Sequence, residues 1–249
     1  MIDSFSKSLP ISYLFQATPG HAVSRNTALE RACGEYIVWT DNDVIVPPNW
    51  LQNYAGAFSK HPLATFFGGR IKPVFEESPP DWLSENWQLC GSVYAERNLG
   101  EEEHQLPRDV FPYGANFALR TDVQKQFRYE TKSGRVGDQL TGDDELSVLR
   151  RIQEDGHTGI WLGDNAVEHF IPRDRISQTY VFNYFVGQGR TNIRQGKVVK
   201  TTHQALLEAL YFRSLWYLKR PLFPSEQWVS HLIRAALSMG ELQQLRTST

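Results

Sequence analysis

The sequence predicts an α/β fold, in which a mixed central sheet is flanked by helices and followed by a helical extension. Short apolar runs such as Tyr36–Thr40 and Ala64–Phe67 are typical of buried strands. They alternate with segments whose apolar residues recur at three- and four-residue spacing, which indicates helices packed on a sheet. After His203 the pattern is helical only. We therefore expect one domain over residues 1–196 and an amphipathic helical extension over residues 197–249.

The expected strands are short and end at glycine, proline or acidic turn residues. In chain order they are residues 11–16, Tyr36–Thr40, Ala64–Phe67, 113–120, Gly159–Gly163 and Val167–Pro172. The third is expected to stop at Gly68-Gly69, because paired glycines commonly interrupt regular structure. Residues 73–109 combine several prolines with an acidic run, and we expect a long excursion over the active face there.

The expected helices place their apolar side chains on one face. In chain order they cover about Ser24–Cys33, Pro48–His61, Thr141–Gly156, Ser177–Val186 and two segments after His203. Gly34 is expected to end the first helix, and Gly187 the fourth. Arg213, Lys219 and Arg220 interrupt or border the first C-terminal helix, which therefore either packs on the domain or lies on a membrane surface.

Composition fits one globular domain with an appendage and argues against several classes of protein. The chain has 249 residues and a net charge of −2, so nucleic acid is not expected as a partner. Cys33 and Cys90 lie far apart, which excludes a disulfide framework and a paired-cysteine zinc motif. Neither a signal peptide nor an apolar stretch of the roughly 20 residues needed for a membrane span is present in the sequence. A cytoplasmic protein is expected.

Two carboxylates, Asp41 and Asp43, directly follow the buried run Tyr36–Thr40. Ligands bind outside the carboxyl ends of strands in open α/β sheets. Oxygen ligands favour Mg²⁺ or Mn²⁺, which commonly bridge protein carboxylates to substrate phosphates. Because Asp-Asn-Asp is also common in turns, these residues alone leave a turn and a metal site open. A helix–loop–helix calcium site is disfavoured, since Ile45 and Val46 stand where it needs an oxygen ligand and a glycine.

A second acidic cluster, Asp143-Asp144-Glu145, opens a predicted helix. Thr141 and Asp144 have the spacing of a capping box, and acidic residues at a helix start suit the helix dipole. Capping explains one of the three acidic residues and leaves the other two unassigned.

Four segments carry a resemblance to a known family. They are a proline-glycine and arginine-asparagine helix over 19–29, a strand with its acidic turn over 34–43, a glycine-alanine-asparagine stretch over 113–120, and an acidic helix start over 142–151. In this order they resemble a family 2 inverting glycosyltransferase with a GT-A-like fold, over roughly residues 10–196. The resemblance implies transfer of a sugar from a nucleotide-diphospho-sugar to a hydroxyl of a glycan or lipid-linked glycan, in polysaccharide biosynthesis.

The resemblance also implies a metal site. Asp43 would coordinate Mn²⁺ or Mg²⁺, and Asp41 would lie near the metal or the ribose. His169 matches a position that often supplies a further metal ligand, although a lone histidine is equally typical of a satisfied core residue. The metal would neutralise charge on the leaving nucleoside diphosphate.

Donor contacts are implied for five basic or polar side chains. Arg25 and Asn26 would contact the donor or support local structure. Arg173, Arg175 and Arg190 would hold the pyrophosphate, because guanidinium groups suit phosphate geometry. Each arginine is equally typical of a solvated surface. A UDP-sugar is expected ahead of a GDP-sugar.

Catalysis and acceptor binding are implied for the later segments. Asp144, with Asp143 beside it in place of the family's usual glutamate, would be the general base that accepts the proton of the acceptor hydroxyl. The expected acceptor-binding residues are Trp82, Gly114, Ala115 and Asn116. The tryptophan is equally typical of a residue that covers a core.

One departure from the family concerns the start of the chain. The family opens with a strand–helix–strand unit that holds the nucleotide, and the ten residues before Ile11 are too few for it. The alternatives are a truncated start, a unit supplied by another chain, or a catalytically silent sugar- or membrane-associated subunit. A glycoside hydrolase also needs two carboxylates but no metal pair at a strand end, and it ranks lower. An active enzyme would be cytoplasmic, with peripheral contact to the membrane through the C-terminal helices.

Overall fold

The computed structural model describes residues 8–130 and 144–247, and within them one mixed sheet forms the centre of the molecule. Its strands are β1 (Tyr36–Trp39), β2 (Val44–Ile45), β3 (Phe66–Phe75), β4 (His104–Gln105), β5 (Phe117–Arg120) and β6 (Gly159–Ile171). They lie in the order β1-β5-β3-β6-β2, and β4 pairs with β6. The pair β3–β6 is parallel and the other pairs are antiparallel. The expected α/β class is confirmed.

Helices cover the sheet and form the C-terminal part of the described chain. They are α1 (His21–Arg31), α2 (Trp50–Lys60), α3 (Asp81–Ser84), α4 (Trp87–Cys90), α5 (Thr121–Gln126), α6 (Asp144–Glu154), α7 (Gln178–Arg194), α8 (Thr202–Lys219) and α9 (Val229–Thr247). Short 3₁₀ turns occupy Gly91–Tyr94, Arg173–Ile176 and Ser225–Gln227. None of the described helices is both long enough and apolar enough to cross a membrane.

The strand expected over residues 11–16 is wrong. The segment has no regular structure, and Tyr13 and Phe15 are 67% and 77% exposed. Its apolar residues are typical of a strand, but no described strand pairs with it, and an unpaired extended segment gains no ladder hydrogen bonds.

Paired glycines do not end β3, contrary to expectation. The strand continues through Gly68-Gly69 to Phe75, because both positions are sites of close approach. A Cβ on Gly68 would overlap the ring of Pro112, and one on Gly69 would overlap the backbone of Asn165. The two strands expected over Gly159–Gly163 and Val167–Pro172 likewise form one continuous strand, β6.

The fourth predicted helix is longer than expected for the same reason. It runs through Gly187 and Gly189 to Arg194, and Gly189 lies where α7 approaches α9 most closely. A Cβ on Gly189 would overlap the carbonyl of Leu237, and one on Gly240 would overlap that of Val186. The glycines therefore fix the distance between the two helices.

An apolar cluster joins α7 and α9 to the excursion after β3. It contains Leu83 and Tyr94 from the excursion, Val181 from α7 and Leu232 from α9, all nearly or fully buried. Helix α8 packs on α9 through Ala205, Ala209 and Phe212. The division at residues 196 and 197 stays a proposal.

Candidate active site

A cleft of about 440 Å³ lies where the strand ends meet the helices. The ends of β1 and β6 form its floor, and α1, α6 and α7 contribute its walls. The lining includes Arg25, Asp41, Asp43, Gly114, Ala115, Glu145, His169, Arg175, Tyr180 and Tyr184. Of the candidate residues from the sequence, the structure thus brings together Arg25, Asp41, Asp43, Gly114, Ala115 and His169.

Arg25 is a nearly buried cation, 8% exposed, that connects three parts of the cleft. Its guanidinium lies 3.2 Å from Glu145 Oε2 at the start of α6 and 3.7 Å from Asp41 Oδ1 after β1. The rings of Trp39 and Tyr129 approach the guanidinium carbon to 5.8 and 5.4 Å. Carboxylates and ring faces compensate the loss of hydration, so a charged group is tolerated inside the protein.

Glu145 is a site residue that the sequence did not single out. Its Oε1 accepts a hydrogen bond from the Gly114 amide at 3.2 Å, and its Oε2 accepts one from Arg25. Burial opposes ionisation, but the attraction of Arg25 and these hydrogen bonds outweigh it and lower the pKa of Glu145. Gly114 must be small, because a Cβ there would lie 2.7 Å from the Arg25 guanidinium and 3.0 Å from Glu145 Oε1. One feature of the sequence could have indicated it: Glu145 belongs to the acidic cluster at the helix start, in which capping explains only one of the three residues.

Strand pairing places Asp43 beside His169. β2 pairs with the end of β6 so that Val44 lies opposite His169, and the Phe170 amide donates to the Asp43 carbonyl at 2.8 Å. His169 Nε2 then lies 3.4 Å from Asp43 Oδ1, and Arg175 lies 3.2 Å from Oδ2. The hydrogen bond with His169, helped by Arg175, lowers the pKa of Asp43 to about 2. The carboxylate is therefore ionised at neutral pH.

The orientation of His169 fits a metal ligand. Its Nδ1 lies 2.9 Å from the Tyr94 carbonyl, which can only accept, so this nitrogen carries a proton. In the neutral ring the lone pair of Nε2 then faces the Asp43 carboxylate, an arrangement that requires a proton or a cation between them. Burial opposes protonation, but Asp43 and the Tyr94 carbonyl outweigh it and raise the pKa of His169. A metal-bound histidine commonly donates its other N–H to a backbone carbonyl in this way.

A divalent cation at Asp43 and His169 would need ligands from outside the protein. Among the described side chains, no group of three or more His, Cys, Asp or Glu residues could hold a metal ion. Hard cations such as Mg²⁺ commonly complete their coordination with water and substrate phosphates. The donor set therefore fits a cation that binds together with a phosphate-bearing substrate.

Two asparagines expected to bind substrate instead make hydrogen bonds within the protein. Asn116 is fully buried: its Oδ1 accepts from Trp50 and Tyr54 at 2.9 and 2.8 Å, and its Nδ2 donates to the carbonyls of Arg70 and Asn165 at 3.0 and 2.7 Å. All its hydrogen-bonding capacity is used, so it is not a cleft residue. Asn26 instead bonds both backbone groups of Tyr129, at 2.9 and 3.0 Å.

Trp82 and Arg190 lie away from the cleft, and the two candidate aspartates are described only in part. Trp82 packs beside Trp228 with ring centroids 6.0 Å apart, away from the cleft lining. Arg190 donates two hydrogen bonds to Gln243 of α9 at 2.9 and 2.6 Å. Asp143 lies outside the described residues. Asp144 is the first residue of α6, next to Glu145, and its side chain is outside the described part.

Comparison with solved structures identifies the fold. The mannosyltransferase PcManGT from Pyrobaculum calidifontis, solved in complex with GDP-Man and Mn²⁺, aligns with all of this chain and 74% of its own, with a TM-score of 0.56 and 15% identity. A mycobacterial protein aligns with 73% of this chain and 54% of its own, at 16% identity and a TM-score of 0.35. No curated protein matches the chain. The fold is the α/β fold of GT-A glycosyltransferases.

The family follows from the sequence match. The model of glycosyl transferase family 2 matches residues 1–126, just over half of the chain. The chain belongs to this family and is a glycosyltransferase. The matched segment includes Arg25, Asp41, Asp43 and Gly114 of the cleft.

Substitution of Glu145 tests whether the buried pair assembles the cleft. We expect Glu145→Gln to lower the free energy of unfolding by about 1–2 kcal/mol, because Arg25 would stay buried with a weakened partner. Glu30→Gln is the matched control, since Glu30 pairs with Arg128 at 2.8 Å on the exposed surface. It should cost less than about 0.5 kcal/mol. Chemical denaturation at pH 7 measures both, and equal losses would contradict a structural role of the buried pair.

Proposed function

We propose that this glycosyltransferase uses a divalent cation and moves a sugar from a nucleotide-diphospho-sugar to an acceptor hydroxyl with inversion. The observation that carries the proposal is the oriented pair of Asp43 and His169 at the strand end of the cleft. Mn²⁺ or Mg²⁺ bound there would supply Lewis-acid neutralisation of the leaving diphosphate. The Mn²⁺ in PcManGT supports a metal of this kind.

The protein's own side chains supply positioning and charge. Arg175, 3.2 Å from Asp43, is within reach of a phosphate beside that carboxylate and suits its geometry. Arg25 holds Asp41 and the start of α6 in place. Asp144 would accept the proton of the acceptor hydroxyl, and the acceptor would lie against Gly114 and Ala115. Inversion requires a single displacement, so one base suffices.

The donor nucleotide is tested by calorimetric titration of GDP and UDP with and without Mn²⁺. The sequence favoured UDP, whereas the GDP-Man bound to PcManGT supports GDP, which we now expect to bind. Binding should depend on Mn²⁺ and weaken by about tenfold or more in Asp43→Ala. Asp122→Ala, which removes an exposed carboxylate paired with Arg120, should bind normally. Binding of neither nucleotide to the folded chain, or normal binding by Asp43→Ala, would contradict the proposed site.

The general base is tested by Asp144→Asn. Transfer should fall by about 10²–10⁴-fold, because the amide cannot accept the proton of the hydroxyl, while binding of nucleotide and Mn²⁺ should remain. Release of nucleoside diphosphate from the sugar donor measures turnover. Asp155→Asn, which changes an exposed aspartate just after the same helix, should stay active. Retained turnover in Asp144→Asn would exclude this residue as the base.

We also propose that α8 contacts a membrane surface and that the acceptor is lipid-linked. The proposal rests on the exposed surface of this helix. The outward face of this helix and the turn after it carry large apolar side chains that are half or more exposed: Leu207, Leu210, Tyr211, Tyr217, Leu218 and Leu222. Residues 197–223 contain five basic side chains and one acidic side chain, although the whole chain has a net charge of −2. An apolar stripe with a basic border suits an anionic lipid surface.

Sedimentation with vesicles tests this contact. The full chain should bind vesicles of phosphatidylcholine and phosphatidylglycerol, and more weakly vesicles of phosphatidylcholine alone. A double variant, Leu207→Glu with Leu210→Glu, should lose binding because it places charge on the stripe. Leu51→Glu changes a side chain of similar exposure, 61%, on α2 and should bind normally. Unchanged binding in the double variant, or dimerisation through the stripe in light scattering, would contradict the proposal.

A further inference from the structure

A second pocket, of about 420 Å³, lies between α3, the start of α7 and the end of α8. Its lining combines three aromatic rings with two polar side chains and one cation: Trp82, Trp216, Tyr217, Gln178, Thr179 and Arg220. Ligand pockets commonly have this composition, with mostly aromatic walls and a few polar groups that fix orientation.

The aromatic walls are supported from behind. Trp216 packs against Tyr217 and Phe182, with ring centroids 4.7 and 5.9 Å away, and Trp82 packs on the nearly buried Trp228. Flat, weakly polar rings of this kind suit the apolar face of a sugar ring, whose hydroxyl groups point outwards.

Arg220 adds a cation with no opposite charge of its own. Its guanidinium makes no ion pair within the described part of the chain, and it follows directly after the last residue of α8. Guanidinium groups bind phosphate oxygens with two parallel hydrogen bonds. The pocket therefore combines surfaces for a sugar ring with a group for a phosphate.

The wall that carries Trp82 is held in place. Asn86, which is almost buried, donates to the Trp82 carbonyl at 2.9 Å and to Ser225 Oγ at 3.0 Å, and Ser225 in turn bonds Glu85. These bonds join α3 to the turn before α9. A pocket with fixed walls loses little entropy when a ligand binds.

We propose that this pocket binds a sugar phosphate, as a distal part of the acceptor. The first turn of α7 relates it to the cleft: Gln178 and Thr179 line the pocket, and Tyr180 lines the cleft. Tyr217 also belongs to the exposed apolar surface of α8, so a lipid attached to the phosphate would continue along that surface. The acceptor assignment rests on the proposed function, whereas binding of a sugar phosphate can be measured independently of it.

Calorimetric titration of the full chain with glucose 1-phosphate, glucose and inorganic phosphate, without nucleotide or metal, tests the pocket. Glucose 1-phosphate should bind saturably and at least about tenfold more tightly than either part alone, since each part contributes separate contacts. Arg220→Gln and Trp82→Leu should each weaken binding by about tenfold or more. Tyr13→Ala, which removes a ring that is 67% exposed and lies outside both the pocket and α8, is the matched control and should bind normally.

Each result decides the proposal separately from the transferase activity. Equal binding of inorganic phosphate would show an anion site only and overturn the sugar part. No saturable binding of glucose 1-phosphate, or binding that Arg220→Gln leaves unchanged, would overturn the pocket altogether. Arg220 is at the surface, so its variant stays informative even where Trp82→Leu fails to fold. A decyl-linked glucose phosphate that binds more tightly than glucose 1-phosphate would identify a lipid-linked rather than a free sugar phosphate.

Discussion

The site depends on one buried charge, the guanidinium of Arg25. Without partners such a cation would be expelled from the interior, so its position is fixed by the carboxylates of Asp41 and Glu145 and by the surrounding aromatic rings. These partners belong to segments far apart in the sequence, the end of β1 and the start of α6. The pairing thus brings together the strand-end acidic turn and the acidic helix start. Gly114 brings a third segment to the site, the stretch before β5. A larger residue there would displace Arg25 and Glu145.

Other polar residues that the sequence marks as candidates build the frame of the cleft. Asn116 ties α2 to β3 and β6 through four hydrogen bonds, and Asn26 fixes the backbone of Tyr129, whose ring packs on Arg25. Both lie in segments that resemble functional motifs. The motifs therefore correctly indicated the segments that form the cleft, but these two side chains stabilise the backbone around it. A buried amide with every donor and acceptor used cannot also bind a ligand.

The sequence predicted helices and strands well where short-range patterns are enough to define them. The strand Tyr36–Trp39 and the helix Trp50–Lys60 differ from expectation by one or two residues, because apolar periodicity and flanking proline or glycine define them. Gly68 and Gly187 were misread as stops, since the roles of Gly68 and of the nearby Gly189 depend on neighbours distant in sequence. Glu145 was overlooked for the same reason: only the tertiary fold brings Arg25 to it. Sequence patterns report short-range geometry, and these errors all concern long-range contacts.

The charges of the cleft also bear on which group accepts the proton. A general base works best when its pKa lies near the working pH. His169 and Arg175 lower the pKa of Asp43 to about 2, and the attraction of Arg25 outweighs burial and lowers that of Glu145. Both carboxylates are therefore weak bases, suited to holding cations rather than to taking a proton from a hydroxyl. The proposed reaction therefore gives the proton to neither of them, and Asp144, adjacent to Glu145 at the start of α6, stays the base proposed from the family motif.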